Sequence, residues 1–113
     1  MNDATHEIQR EFEQAQKART NGNEGQARVC ARRAAGIAIR DYLLRNGIRP
    51  PSRSAHDLLN LIKESAPLPP DLKRVADHLT LRVTEEFKLP IEADLIAESK
   101  ALCEWLMNQE DKF

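Results

Sequence analysis

Apolar residues recur along this chain at intervals of three and four, and Gly and Pro fall between the periodic stretches. No stretch keeps the alternation that a half-buried strand needs. The first periodic stretch is thin. Ile8, Phe12 and Ala15 line one face of a helix predicted over about residues 5–19, and Asn21-Gly22 ends it. Asn23 then reads as an N-cap, with Gln26 three residues on in a capping-box arrangement. The second helix is predicted from Glu24 to Asn46, with Gly47 as its C′ residue. Its pattern is different. Ile37 and Ile39 point about 160° apart on a helix of 3.6 residues per turn, and Val29, Cys30, Ala34, Leu43 and Leu44 fill the arcs between them. A helix apolar nearly all round is covered on several sides, so this one is expected at the centre of the domain.

Ser54 opens a third helix that carries Leu58, Leu59, Leu61 and Ile62 and ends before Pro67. Pro69, Pro70 and Asp71 open a fourth, because proline is tolerated in the first turn. Its stripe is Leu72, Val75, Ala76, Leu79, Val83 and Phe87, and Pro90 breaks it. The last helix is predicted from about Ile91 to Asn108, with Leu95, Ser99, Leu102, Cys103 and Leu106 on one seam. These elements predict an all-α fold over residues 1–113, a single up-and-down bundle of four to five helices.

Composition narrows the function classes. Hydrophobic residues make up 41% but aromatics only 4%, so the core must be aliphatic. The formal net charge of −1 is not the basic balance of a chain that coats nucleic acid, and no DNA partner is expected. No apolar run approaches the ~20 residues of a membrane span. The stretch from Met1 to Arg19 lacks a signal-peptide core, so the expected location is the cytoplasm, with no membrane contact. Cys30 and Cys103 sit among apolar residues with no second Cys or His at zinc-ligand spacing. They are expected to be buried, reduced thiols, with no metal and no cofactor.

The arginines carry the candidate chemistry. Between Ala27 and Arg53 there are seven: Arg28, Arg32, Arg33, Arg40, Arg45, Arg49 and Arg53, with Asp41 the one acid and no lysine. The last helix leans acidic. Arginines of this kind can pair with acids on neighbouring helices, rim a dimer interface, or bind phosphate through their planar forks. Arg33 and Arg40 suit phosphate best, since they stack at i, i+7 beside Ile37 and Leu44. Arg82 and Lys88 add cations before the last helix. These four are the candidate anion- or nucleotide-binding residues. No glycine-rich phosphate loop, paired carboxylates or nucleophile triad is present, and no catalytic residue is expected. Arg49 and His56 are separated by a Pro-Pro loop rather than set on one helix face, so His56 reads as helix-start chemistry beside Ser54 and Asp57. His78, between Arg74 and Arg82 at four-residue spacing, reads as a solvated helix flank.

Three segments together resemble the HEPN (higher-eukaryote and prokaryote nucleotide-binding) domain family. They are Ala34 to Leu44 with Gly47 behind it, Ala55-His56-Asp57-Leu58-Leu59-Asn60-Leu61-Ile62, and Phe87-Lys88-Leu89-Pro90 followed by the helix that ends Glu104-Trp105-Leu106. The likeness covers about residues 24–107. Gly36 stands where many members have Glu, and Lys88-Leu89 replaces Arg-Tyr. The ribonucleases of the family carry Arg, four to six residues, then His near the last long helix; here Arg82 is followed by no histidine. The resemblance therefore implies a non-catalytic binding module. It implies an accessory partner of a minimal nucleotidyltransferase, as in toxin–antitoxin pairs, that contributes to a nucleotide site. The alternatives are a metal-independent ribonuclease toxin and a pure dimerisation scaffold. A homodimer is expected because the second helix is apolar on more sides than a thin first helix can cover.

Overall fold

In the computed structural model, residues 3–81 and 94–109 are described, and all their regular structure is helical. The elements are α1 (Asp3–Thr20), α2 (Glu24–Arg45), α3 (Ala55–Ser65), α4 (Pro70–Leu79) and α5 (Leu95–Met107). The chain is an all-α helical bundle. α2 is its axis and touches each of the other four helices.

Small side chains explain how one helix packs on so many sides. Ala27, Ala31, Ala34, Ala35 and Ala38 of α2 are fully buried, so neighbours approach its backbone closely. Ile39 and Leu43 add bulk, and Leu58, Leu59, Ile62, Leu79, Leu95, Leu102 and Leu106 close the core around them. The core is aliphatic, as the composition requires. Partly buried Phe12, Tyr42 and Trp105 pack at its edge. Ser99 is buried with its Oγ donating to Ala31 O at 2.8 Å, which pins α5 to α2.

The helix ends follow local chemistry. Asn23 caps α2 through Gln26 N at 3.0 Å, but the Gln26 side chain turns to Cys30 Sγ, so the reciprocal half of the capping box is missing. At the other end Gly47 has φ +73, Gly47 N bonds Leu44 O and Ile48 N bonds Leu43 O. This is a Schellman closure, and glycine supplies the left-handed residue it needs. Ser54 caps α3 by accepting from Asp57 N.

Three expectations are corrected. The fourth helix does not run on through its periodic stripe; it stops at Leu79. Thr80 folds its Oγ back onto Ala76 O and Asp77 O. The carbonyls of Leu79 and Leu81 accept from Arg32 of α2, from Nε at 2.7 Å and from Nη2 at 3.1 Å. The expected stripe residues Val83 and Phe87 lie outside the described residues. The last helix begins at Leu95 and not near Ile91, because Asp94 is extended and caps it through Ala97 N. Leu44 is not covered but 62% exposed. At 22 residues α2 is the longest helix; its end, about 33 Å from its start, reaches past neighbours of 10–13 residues.

Thin as its stripe is, α1 forms an extensive seam along α2; of the apolar arc residues, Cys30, Ala34, Ile39 and Leu43 are buried within the chain, Val29 and Ile37 are partly buried, and Leu44 stays exposed.

No described helix is long and apolar enough to cross a bilayer.

Candidate functional site

Six of the seven arginines between Ala27 and Arg53 fall into two classes; the seventh, Arg28, is partly buried with its Nε unpaired among the described residues. One class holds the fold together. Arg32 closes the C-terminal end of α4, as above. Arg45 does the same for α5: Nη2 donates to Leu106 O at 2.6 Å, Nη1 to Gln109 O at 2.8 Å, and Nε pairs with Asp41 at 2.7 Å. A cation at a helix C-terminus meets both unpaired carbonyls and the negative end of the dipole. Burial beside Arg28 lowers the Arg32 pKa from its ordinary value, so its charge is held against a desolvation cost. Arg19 joins α1 to Glu24 and to the α5 cap Asp94, at 2.7 and 2.9 Å.

The Arg19 contacts give a pH dependence. The hydrogen bond from Arg19 is the main reason that both Glu24 and Asp94 titrate below their ordinary carboxylate values. A depressed folded-state pKa stabilises above the unfolded value and is lost as pH falls through the folded value. Arg19→Gln is therefore expected to lower stability at neutral pH by under about 1 kcal/mol, since the acids are half exposed and screened. Below about pH 4.5, the ordinary value for Glu24, wild type and variant should converge. Urea midpoints from pH 7 to pH 2 check this, and curves that stay parallel throughout would contradict it.

The other class of arginine is unspent. Arg33, Arg40, Arg49 and Arg53 make no hydrogen bond or ion pair to another described residue. They gather on one surface. Arg33, Arg40 and Arg53 line a recess of about 250 Å³ with Glu11, Gly36, Ile37 and Ala55. Arg40 and Arg53 also border a shallower depression of about 530 Å³ with Arg49, Leu44, Pro50, Pro51 and Ser52.

Gly36 makes this gathering possible. A Cβ there would lie 3.0 Å from Ala55 Cβ and 3.2 Å from Ala55 Cα. With no side chain, α2 and the start of α3 come together. The loop that carries Arg53 is thereby laid beside Arg33 and Arg40.

The expected pair Arg33 and Arg40 thus shares one recess. Arg53, not among the expected site residues, joins them. Only the fold could show this, since Arg53 precedes the Ser54 cap and nothing in its local pattern marks it. Arg82 and Lys88 fall outside the described residues. His56 is exposed, with Nδ1 3.2 Å from Asn60 Nδ2 in its own helix. His78 is not a solvated flank. It is partly buried, with Nδ1 2.6 Å from Glu98 Oε1 across the α4–α5 contact. Sequence reading missed this pair because its members are 20 residues apart.

A groove of about 620 Å³ lies elsewhere, between α1 and α5. Ile8, Phe12, Cys103 and Met107 line it as the edge of the core, and Lys100 lies over the Phe12 ring at 5.6 Å. Burial pushes the Cys103 thiol up to about 12 and also raises Cys30, so neither is an activated nucleophile. Among the described residues no group of His, Cys, Asp or Glu is placed to hold a metal ion.

No protein-family model, curated protein or solved structure matches this chain.

Proposed function

We propose that this chain is a small non-catalytic binding module that seats the phosphate end of a nucleotide between Arg33, Arg40 and Arg53. The observation that supports it most is the contrast within α2. Arg32 and Arg45 are consumed by helix ends, while Arg33 and Arg40 line a recess in which, among the described residues, Glu11 is the one acid. Grouping cations without pairing them is costly unless an anion completes the set. Arg forks match phosphate oxygens bidentately.

The recess is smaller than the ~300–1,000 Å³ that encloses a drug-sized ligand. It fits a phosphate group and leaves the rest of a nucleotide outside. A second protein would then complete the site, which agrees with the accessory role that the HEPN resemblance implies, beside a minimal nucleotidyltransferase. Arg82 and Lys88 belong to the same proposal.

Isothermal titration with a nucleoside triphosphate tests the reading. Arg40→Ala removes a charge-assisted contact worth about 1.5–3 kcal/mol, so affinity should fall at least about tenfold. No heat from the wild type with any nucleoside triphosphate or with inorganic tripolyphosphate would remove the phosphate seat.

The same reading predicts no ribonuclease activity. His56 is bonded to Asn60 of its own helix, and among the described residues no hydrogen bond joins it to a cation. Single-stranded RNA should stay intact with the purified protein in EDTA. Cleavage that His56→Ala abolishes without loss of helicity would restore the ribonuclease alternative.

A further inference from the structure

We infer that the shelf at the C-terminal end of α2 docks an acidic segment of a partner protein, led by one bulky aliphatic side chain. This rests on the reading of the chain as an accessory module, but not on the phosphate seat.

Leu44 at 62% and Ile48 at 46% are the large hydrophobic side chains left exposed among the described residues, and both stand at this end of α2. Leu44 borders the 530 Å³ depression with Pro50 and Pro51, and Arg40, Arg49 and Arg53 rim it. An apolar centre ringed by cations is the complement of an apolar side chain flanked by carboxylates. The Pro-Pro pair fixes two φ angles of the wall, so the shelf is preformed and loses little entropy when occupied.

Two other occupants fit less well. Single-stranded nucleic acid is held by cations together with aromatic rings on which bases stack. The described aromatics Phe12, Tyr42 and Trp105 pack against the core instead, and the shelf's apolar residues are aliphatic. A second copy meeting the same patch across a twofold axis would set arginines against arginines, which like-charge repulsion opposes.

The test is selection of a phage-displayed random-peptide library on the immobilised full chain. Enriched peptides should carry Leu, Ile or Met beside Asp or Glu. Synthetic versions should bind in fluorescence anisotropy and lose about tenfold in affinity on either Leu44→Ser or Arg49→Ala. Leu44→Ser should leave the melting temperature and the heat with inorganic tripolyphosphate unchanged. Enrichment of neutral or basic peptides, no enrichment, or affinity indifferent to Leu44→Ser overturns the inference. So does a mixed-sequence single-stranded RNA that displaces the peptides and binds Leu44→Ser as well as wild type. Loss of tripolyphosphate heat in the wild type, with peptide binding as expected, overturns the phosphate seat alone.

Discussion

Gly36→Val is expected to destabilise the protein by about 3 kcal/mol and to disorder the arginine site together with the fold. Even the first carbon of the new side chain meets Ala55 Cβ at 3.0 Å and its Cα at 3.2 Å. The second of these is backbone and cannot swing aside. Valine adds two methyls at the same crossing, and overpacking a tight contact costs about 1–3 kcal/mol or more. Glycine's poor helix propensity offsets under about 1 kcal/mol of this. α3 must move outward, and Arg53 moves with it, away from Arg33 and Arg40. Chemical denaturation should show the loss of stability. A spacing mutation on the other wall is the control: Ala55→Gly in the Gly36→Val background should recover part of it. A Gly36→Val protein as stable as wild type would mean that the α2–α3 approach is looser than the contact distances say.

Arg32→Met carries the second large effect. Methionine keeps the apolar stem and removes the fork. The carbonyls of Leu79 and Leu81 lose donors at 2.7 and 3.1 Å. Each hydrogen bond from a charged donor is worth about 1.5–3 kcal/mol, though the desolvation that lowers the Arg32 pKa is relieved at the same time. A net loss of about 2 kcal/mol is expected, read as a fall in melting temperature of about 10 °C for a domain near 100 residues. Hydrogen exchange should speed up first in the last turn of α4. An unchanged melting temperature would place Arg32 among the unspent cations.

The helix core was legible in the chain because three-and-four spacing reports burial directly. Ile8 and Ala15 of α1, Leu58, Leu59 and Ile62 of α3, and Leu102, Cys103 and Leu106 of α5 are where periodicity puts them. Helix ends were less legible. The stripe Leu79–Val83–Phe87 continues in period beyond the point where Arg32 and Thr80 terminate α4, because a helix stops where its carbonyls find other partners. Likewise Asp94 resembles any acid in an acidic segment until its carboxylate is seen on Ala97 N. Leu44 looked buried because apolarity alone does not say how far a helix outruns its neighbours.

The site was half legible. Arg33 and Arg40 share a helix face by spacing, and they do share a recess. Arg53 comes from a loop, and its place there depends on Gly36 lacking a side chain, a contact between positions far apart in sequence. Arg32 and Arg33 are neighbours of identical type, yet one closes a helix and the other faces solvent. Nothing local distinguishes them; the fold assigns each its role.

Thermal shift separates the two kinds of arginine in one experiment. Wild type, Arg32→Met and Arg40→Ala would each be melted with and without a nucleoside triphosphate. Arg32→Met is expected to melt lower but keep the ligand-induced rise. Arg40→Ala should melt like wild type and lose most of that rise. Arg40→Ala that melts low while the rise persists would contradict the division of the arginines into those that hold the fold and those that hold the ligand.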